Sequence, residues 1–212
     1  MIPDVLILCG GQGTRFKEVR DDIPKAIAPI NGVPFIDLLF DSLIDQGCKR
    51  IILCTGYLSE KIEEHVKYRN DVEYIISHEK YSLGTGGAVR YALRHVRSEI
   101  LLTMNGDSYV DFSLQKLVKF HTEGNISATI VLSSAFAGRQ YGSVELDDRM
   151  MVKEFHEKPE EQPCQYVNAG VYCMNQELIK KEKNKELIKR NFELFSRAFT
   201  MSLLRKPRKG AT

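Results

Sequence analysis

The residues of this chain that could do chemistry begin at Gly10-Gly11-Gln12-Gly13-Thr14-Arg15, three glycines followed by a hydroxyl and a guanidinium. Glycines let backbone approach a ligand closely and aim several N–H groups the same way. A neighbouring arginine suits phosphate oxygens, which it can grip with two parallel hydrogen bonds. A second candidate is Lys25 in Pro24-Lys25-Ala26-Ile27-Ala28-Pro29, a compact positive charge in an apolar segment. A third is Asp107, after Asn105-Gly106. A carboxylate at a strand end beside a glycine is placed to hold Mg²⁺ against phosphates. Further along come Leu83-Gly84-Thr85-Gly86-Gly87-Ala88, where Thr85 could cap a helix, then Glu157-Lys158 before a proline, and Asn168-Ala169-Gly170. Each also has an ordinary reading as a turn, a helix entry or a solvated loop. Two common phosphate loops are excluded. A dinucleotide fingerprint starting at Gly11 needs a small residue where Phe16 stands, and no Gly-Lys-Ser/Thr of a P-loop occurs.

Positioning these groups requires a rigid scaffold, and the hydrophobic pattern supplies one. Short apolar runs predict strands at Asp4–Cys9, Arg50–Thr55, Val72–Ser77, Ile100–Asn105, Ala128–Ser133, Gly142–Leu146 and Val167–Met174. Helical periodicity predicts helices over Phe35–Gln46, Leu58–Val66, Thr85–His95, Ser113–Glu123 and a long stretch from about Gln176 to Leu204. Strand–helix alternation over the first 130 or so residues implies a mostly parallel α/β sheet with helices on both faces. Such sheets bind ligands at the carboxyl ends of their strands, where the glycine loop and Asp107 both fall.

Composition bounds the rest. The 212 residues suffice for one substantial core. No apolar run approaches a membrane span, and Asp4 with no basic stretch before it argues against a signal peptide, so a cytoplasmic chain is expected. Five cysteines at scattered positions form no metal-ligand spacing and read as reduced core residues. The five histidines likewise show no ligand spacing. The net charge of +2 conceals an asymmetry, with residues 180–212 at +8 and residues 1–179 at −6. The expected organisation is a domain over 1–179 and a basic amphipathic tail over 180–212, whose Ile188, Phe192, Phe195 and Phe199 recur at helical spacing. Packing on the domain, a partner or membrane surface, and a shifted reading frame or truncation all remain open for that tail. The basic run Arg205–Lys209 could touch nucleic acid, but nothing else in the sequence supports that.

Taken together and in order, the motifs resemble the sugar-phosphate nucleotidyltransferase family, with its Rossmann-like, glycosyltransferase-A-like fold. The resemblance rests on the glycine loop, the Pro24–Pro34 segment, Leu83–Gly87, Asn105–Asp107, Glu157-Lys158-Pro159 and Asn168–Gly170. It implies transfer of a nucleotidyl group from an NTP to a sugar 1-phosphate, releasing pyrophosphate, with Mg²⁺ as cofactor. It further implies that Leu8, Gly10, Gly11, Gly13, Thr14 and Arg15 line the nucleotide, with Glu79, Gly84 and Asn105 on the nucleoside side. Arg15, Lys25 and Asp107 would act at the reacting centre, Asp107 binding the metal. Lys25, Gly142, Glu157, Lys158 and Asn168 would line the sugar phosphate.

An ionised Glu79 can only accept hydrogen bonds, matching the two donors on the edge of guanine, so GTP is favoured over a pyrimidine nucleotide. Leu83–Ala88, Asn105–Ser108 and Tyr141–Glu145 resemble guanylyltransferases acting on D-glycero-α-D-manno-heptose 1-phosphate, with mannose 1-phosphate as the competing substrate. Homo-oligomerisation stays open. One departure stands out: relatives carry a second metal-binding aspartate near their carboxyl end, and here no Asp follows Asp148. A non-catalytic nucleotide-sugar-binding homologue is therefore the alternative.

Overall fold

In the computed structural model, strand β1 (Asp4–Leu8) is an interior strand of a sheet that it joins with complete burial of Val5, Leu6 and Ile7. The described residues are 2–11, 22–134, 142–156 and 165–181, together with the backbone of a strand at 197–201. A short turn at Lys25–Ile27 leads into a small hairpin, β2 (Pro29–Ile30) and β3 (Val33–Pro34). Asn31 and Gly32, both at positive φ, form its tip, the combination that two-residue hairpins favour. Helix α1 (Phe35–Asp45) follows. Then come β4 (Arg50–Thr55), α2 (Ser59–Val66), β5 (Glu73–His78), α3 (Gly84–Ala92) and β6 (Ile100–Asn105). Helix α4 (Leu114–Glu123) precedes β7 (Ala128–Ser134), β8 (Ser143–Leu146), β9 (Val152–His156), β10 (Tyr166–Asn175), α5 (Gln176–Lys181) and β11 (Arg197–Met201).

The main strand order is β11-β7-β10-β6-β1-β4-β5. β1 pairs in parallel with β4 and β6, β4 with β5, and β11 with β7, while β10 runs antiparallel to both its neighbours. Side chains alternate between faces along each strand. Val5, Ile7, Ile51, Leu53, Leu102 and Met104 therefore pack on one face under α1, α2 and α4. Leu6, Ile52, Cys54, Leu101, Tyr172 and Met174 pack on the other under α3 and α5. This three-layer arrangement explains why the central strands read as unbroken apolar runs: both faces are covered.

Helix α1 shows the local logic. Ile36, Leu39, Phe40 and Leu43 repeat at helical spacing and all are buried. Its end is set by Gly47 at φ +87°, with the N–H of Gly47 donating to Ile44 O and that of Cys48 to Leu43 O, which closes the helix in a Schellman turn.

The predicted strands and helices fall close to their observed spans, with four differences. Val152–His156, which the pattern leaves as loop, is a strand on the sheet's periphery; it is half exposed and, among the described residues, pairs only with β8. The β2–β3 hairpin is too short to produce a periodic signal. Thr85 is not a cap: Leu83 holds that position, and α3 begins at Gly84, so Thr85 lies inside the first turn. Finally, of the helix expected from Gln176 to Leu204, Gln176–Lys181 is helical, residues 182–196 lie outside the described residues, and Arg197–Met201 is a strand. Pairing with β7 satisfies backbone groups along an edge that would otherwise be open.

Candidate active site

The chain moves outward from β1 to β4 to β5, then returns to the other side of β1 to form β6. The order of the strands reverses between β1 and β6, the topological switch point at which open α/β sheets hold ligands in a crevice beyond the strands' carboxyl ends. Leu8 is in register with Cys54 on one side and Asn105 on the other. The residues just past these positions therefore share one edge of the sheet.

Gly106 fixes the spacing between the loops after β1 and β6. Its N–H donates to Leu8 O at 3.0 Å. A Cβ on Gly106 would lie 2.8 Å from that same oxygen and 3.1 Å from Cys9 Sγ. Only glycine permits this approach, and it delivers Asp107 to the mouth of the crevice. There the Asp107 carboxylate accepts a hydrogen bond from Lys25 Nζ at 2.7 Å, across 82 positions of sequence. The two side chains are 42% and 48% exposed, so the pair is open to solvent and to an incoming ligand. Lys25 is held by its backbone: Ala26 is buried in the core, and Ala28 is tied to the start of α1 by the N–H of Phe35 donating to Ala28 O.

On the other side of β1, Gly10 and Gly56 meet back to back. A Cβ on Gly56 would stand 3.0 Å from Gly10 O, and one on Gly10 would stand 3.1 Å from Glu79 Oε1. Glu79 is tied to the sheet by its N–H donating to Thr55 O, and its Oε2 accepts from Leu83 N–H at 3.3 Å. Its other oxygen stands over the two glycines. Burial raises the Glu79 pKa, with the Leu83 N–H and His78 opposing. Gly84, at φ +70°, opens α3 with free space on its Cβ side. Gly11 likewise faces open space.

The third wall comes from β10. Because that strand is antiparallel, its beginning lies at the carboxyl ends of β6 and β7, which brings Asn168 to the same edge. Asn168 Oδ1 accepts from Gly170 N–H at 2.8 Å and Nδ2 donates to the Tyr172 hydroxyl at 2.6 Å, so the side chain braces the bulge between Asn168 and Val171. Gly170, at φ +73°, abuts the Asn105 amide, and its Cβ would come within 2.7 Å of Asn105 Nδ2. Gly142 O accepts from Asn168 N–H, and a side chain at Gly142 would strike the Phe155 ring.

The structure thus gathers Leu8, Gly10, Gly11, Lys25, Glu79, Gly84, Asn105, Asp107, Gly142 and Asn168 along one edge. Gly13, Thr14, Arg15, Glu157 and Lys158 lie outside the described residues. Sequence reading missed Gly56 and Tyr172. Gly56 had a signal, a glycine directly after a buried strand like Gly10, whereas Tyr172 is recognisable only through its contact with Asn168.

The chemistry of the site is electrostatic. Burial holds Cys9 well above the ordinary thiol range and pushes Cys54 and Cys173 up to about 12, so these thiols are protonated and inert. Among the described residues no group of three or more His, Cys, Asp or Glu could hold a metal ion by itself. Asp107 fits a different metal environment: Mg²⁺ commonly takes one or two carboxylates and completes its shell with substrate phosphates and water.

A switch-point crevice lined by glycine backbone, with a lysine–aspartate pair at its mouth, defines a nucleotide-handling α/β protein. The sequence profile of the nucleotidyl transferase family matches residues 4–206. The chain is 37% identical over 175 residues to a D-glycero-alpha-D-manno-heptose 1-phosphate guanylyltransferase of Campylobacter jejuni, covering 82% of this chain and 76% of that protein. It is 34% identical over 179 residues to the mannose-1-phosphate guanylyltransferase catalytic subunit beta of Drosophila melanogaster, covering 82% of this chain but 48% of that protein, about half its length. A crystal structure of HddC from Yersinia pseudotuberculosis complexed with GMP-PN superposes with a TM-score of 0.82 at 30% identity, covering 94% of this chain and 90% of that one. The chain belongs to the nucleotidyl transferase family.

Proposed function

We propose that this chain transfers a guanylyl group from GTP to a sugar 1-phosphate, forming a GDP-sugar and pyrophosphate. The acceptor is D-glycero-α-D-manno-heptose 1-phosphate. The observation that carries the reaction class is the Lys25–Asp107 pair at the mouth of the switch-point crevice. In the reaction an anionic oxygen of the sugar phosphate attacks the α-phosphorus of GTP, and the bond from that phosphorus to the bridging oxygen breaks. The electron pair leaves with pyrophosphate. The attacking oxygen already carries negative charge, so no general base is required. Catalysis is positioning and charge neutralisation, which the residues here are suited to supply.

Gly10 and Gly11 present backbone to the triphosphate, with Gly13, Thr14 and Arg15 continuing the loop by family resemblance. Lys25 offsets charge on the phosphates at the reacting centre. Asp107, together with substrate phosphates, would hold Mg²⁺, which supplies further charge neutralisation when bound. Glu79, set over Gly10 and Gly56, receives the guanine N–H donors. Gly142 and Asn168, with Glu157 and Lys158, surround the sugar phosphate.

The guanine assignment is supported by Glu79 and by the GMP-PN complex of the similar HddC structure. The sugar assignment is supported by the Campylobacter relative, whose length this chain spans more fully than that of the Drosophila relative. The test is pyrophosphate release from purified protein with Mg²⁺, GTP or UTP, and a panel of sugar 1-phosphates. The highest kcat/KM is expected with GTP and the heptose 1-phosphate. Preference for mannose 1-phosphate would overturn the sugar assignment, and GTP binding without release for any sugar would overturn the enzymatic reading.

A further inference from the structure

Lys25 and Asp107 pair with each other at the place where the proposed reaction needs each for a different partner. The Lys25 ammonium lies 2.7 Å from Asp107 Oδ2. The other oxygen of that carboxylate, Oδ1, accepts the Ser108 hydroxyl at 3.4 Å. Both oxygens are therefore engaged within the chain. Among the described residues no cluster of three or more His, Cys, Asp or Glu stands ready to hold a cation instead. A divalent cation at this mouth thus depends on a carboxylate that the lysine already neutralises.

The two partners differ in their freedom to move. Asp107 follows Gly106, whose N–H is bound to Leu8 O and which has no room to shift towards that oxygen or Cys9 Sγ. Lys25 is anchored only through its backbone. Ile27 N–H donates to Pro24 O and Ala28 N–H to Lys25 O, each at 3.1 Å, and Ala26 between them is buried. Its charge sits at the end of a flexible four-carbon stem, and the side chain is 48% exposed. An exposed ion pair of this kind is weak, so it holds the ammonium without trapping it.

We propose that Lys25 is an exchangeable counter-ion of Asp107: it guards the carboxylate against divalent cations until nucleotide phosphates draw the ammonium away, so that metal and nucleotide load together. The inference rests on the reading of Asp107 as the metal-binding carboxylate of the proposed reaction. A divalent charge and an ammonium on one carboxylate repel each other, and even in a water-like dielectric this repulsion weakens cation binding by about tenfold or more. Nucleotide phosphates relieve it, because they offer the ammonium several anionic oxygens in place of one carboxylate. The coupling is reciprocal: whatever factor the nucleotide adds to cation affinity, the cation adds to nucleotide affinity. A single carboxylate thereby favours the cation that arrives with phosphates over the cation alone.

The test measures Mn²⁺ binding to the full chain by EPR of the unbound ion, at constant ionic strength. Without nucleotide, Lys25→Met should bind Mn²⁺ about tenfold or more tighter than wild type. Lys25→Arg keeps the charge and should bind as weakly as wild type. Adding Asp107→Asn to Lys25→Met should abolish the gain. The Lys25 side chain is half exposed, so the Met variant should fold; if it does not, Lys25→Gln carries the same measurement. In a second arm, GTP without sugar phosphate should raise Mn²⁺ affinity about tenfold more for wild type than for Lys25→Met; chelation by GTP in solution is common to both proteins and cancels. Equal nucleotide-free affinities in wild type and Lys25→Met overturn the proposal. So does a Lys25→Arg protein that binds as tightly as Lys25→Met, a gain that survives Asp107→Asn, or an equal GTP effect in both proteins. No turnover enters either arm. Failure of guanylyl transfer is read separately from pyrophosphate release, and if GTP does not bind at all the nucleotide-free arm still decides.

Discussion

Replacing Gly106 with alanine tests the geometry that places Asp107. The new Cβ would lie 2.8 Å from Leu8 O, about 0.6 Å inside ordinary contact. That oxygen cannot retreat freely, because it accepts the Gly106 N–H at 3.0 Å and belongs to the β1–β6 strand pairing. Cys9 Sγ at 3.1 Å and Ile7 Cγ2 at 3.3 Å block the lateral escape. Relief must come from moving the backbone after β6, and Asp107 is the next residue. Overpacking of this kind costs about 1–3 kcal/mol, which for a chain of this size lowers the melting temperature by roughly 3–10 °C. A displacement of Asp107 by a good fraction of an ångström is expected to lower kcat by about 100-fold. Thermal melts followed by circular dichroism measure the first effect, and steady-state pyrophosphate release measures the second. Gly11→Ala is the control for stability, since its Cβ meets nothing within 4 Å and the melting temperature should not change. A Gly106→Ala protein with unchanged melting temperature and turnover would refute the reasoning.

Glu79→Gln removes a charge and an acceptor facing guanine, so kcat/KM for GTP should fall ten- to a hundredfold while that for UTP changes little. Because burial raises the Glu79 pKa, wild-type GTP affinity should weaken on acidification at a higher pH than an exposed glutamate would dictate, and the Gln variant should lack this limb. An unchanged nucleotide preference would remove the base assignment. Lys25→Met should leave stability within about 1 kcal/mol, since the pair with Asp107 is solvent-exposed, while cutting turnover by two orders of magnitude or so; wild-type turnover would exclude Lys25 from the reacting centre. His121 is buried between Thr129 Oγ1 and Asn175 Oδ1, and burial lowers its pKa below the usual 6.5. The unfolded chain therefore binds the proton more readily, and stability should fall as the pH drops below about 6.5, continuing towards the lower folded-state pKa. Urea denaturation of wild type and His121→Gln across that range checks the sign; a wild-type curve flat with pH would contradict it.

Much of the scaffold was legible because its signals are local. An apolar run such as Val5–Leu8 needs cover on both faces, and the Ile36, Leu39, Phe40, Leu43 spacing admits only a helix with one buried side. The glycine loop and Asn105-Gly106-Asp107 could be placed at strand ends for the same reason. Legibility failed where structure depends on a distant partner. β9 has no alternating burial to announce it and exists by pairing with β8. β11 lies in a segment whose phenylalanine spacing reads as helical, and it extends the sheet by pairing with β7. Asn168 read as a sugar-facing residue; its role in bracing Tyr172 and Gly170 required the fold.

The sequence by itself determined most of the element types, the family and the identity of the reactive groups, because hydrophobic period and motif order are properties of neighbours along the chain. Tertiary structure alone decided that Lys25 meets Asp107, that Gly56 closes on Gly10 beneath Glu79, and that Arg50 Nε and Nη1 are buried without hydrogen-bond partners at the far edge. Those relations are set by strand order and register, which bring together residues that no local pattern connects.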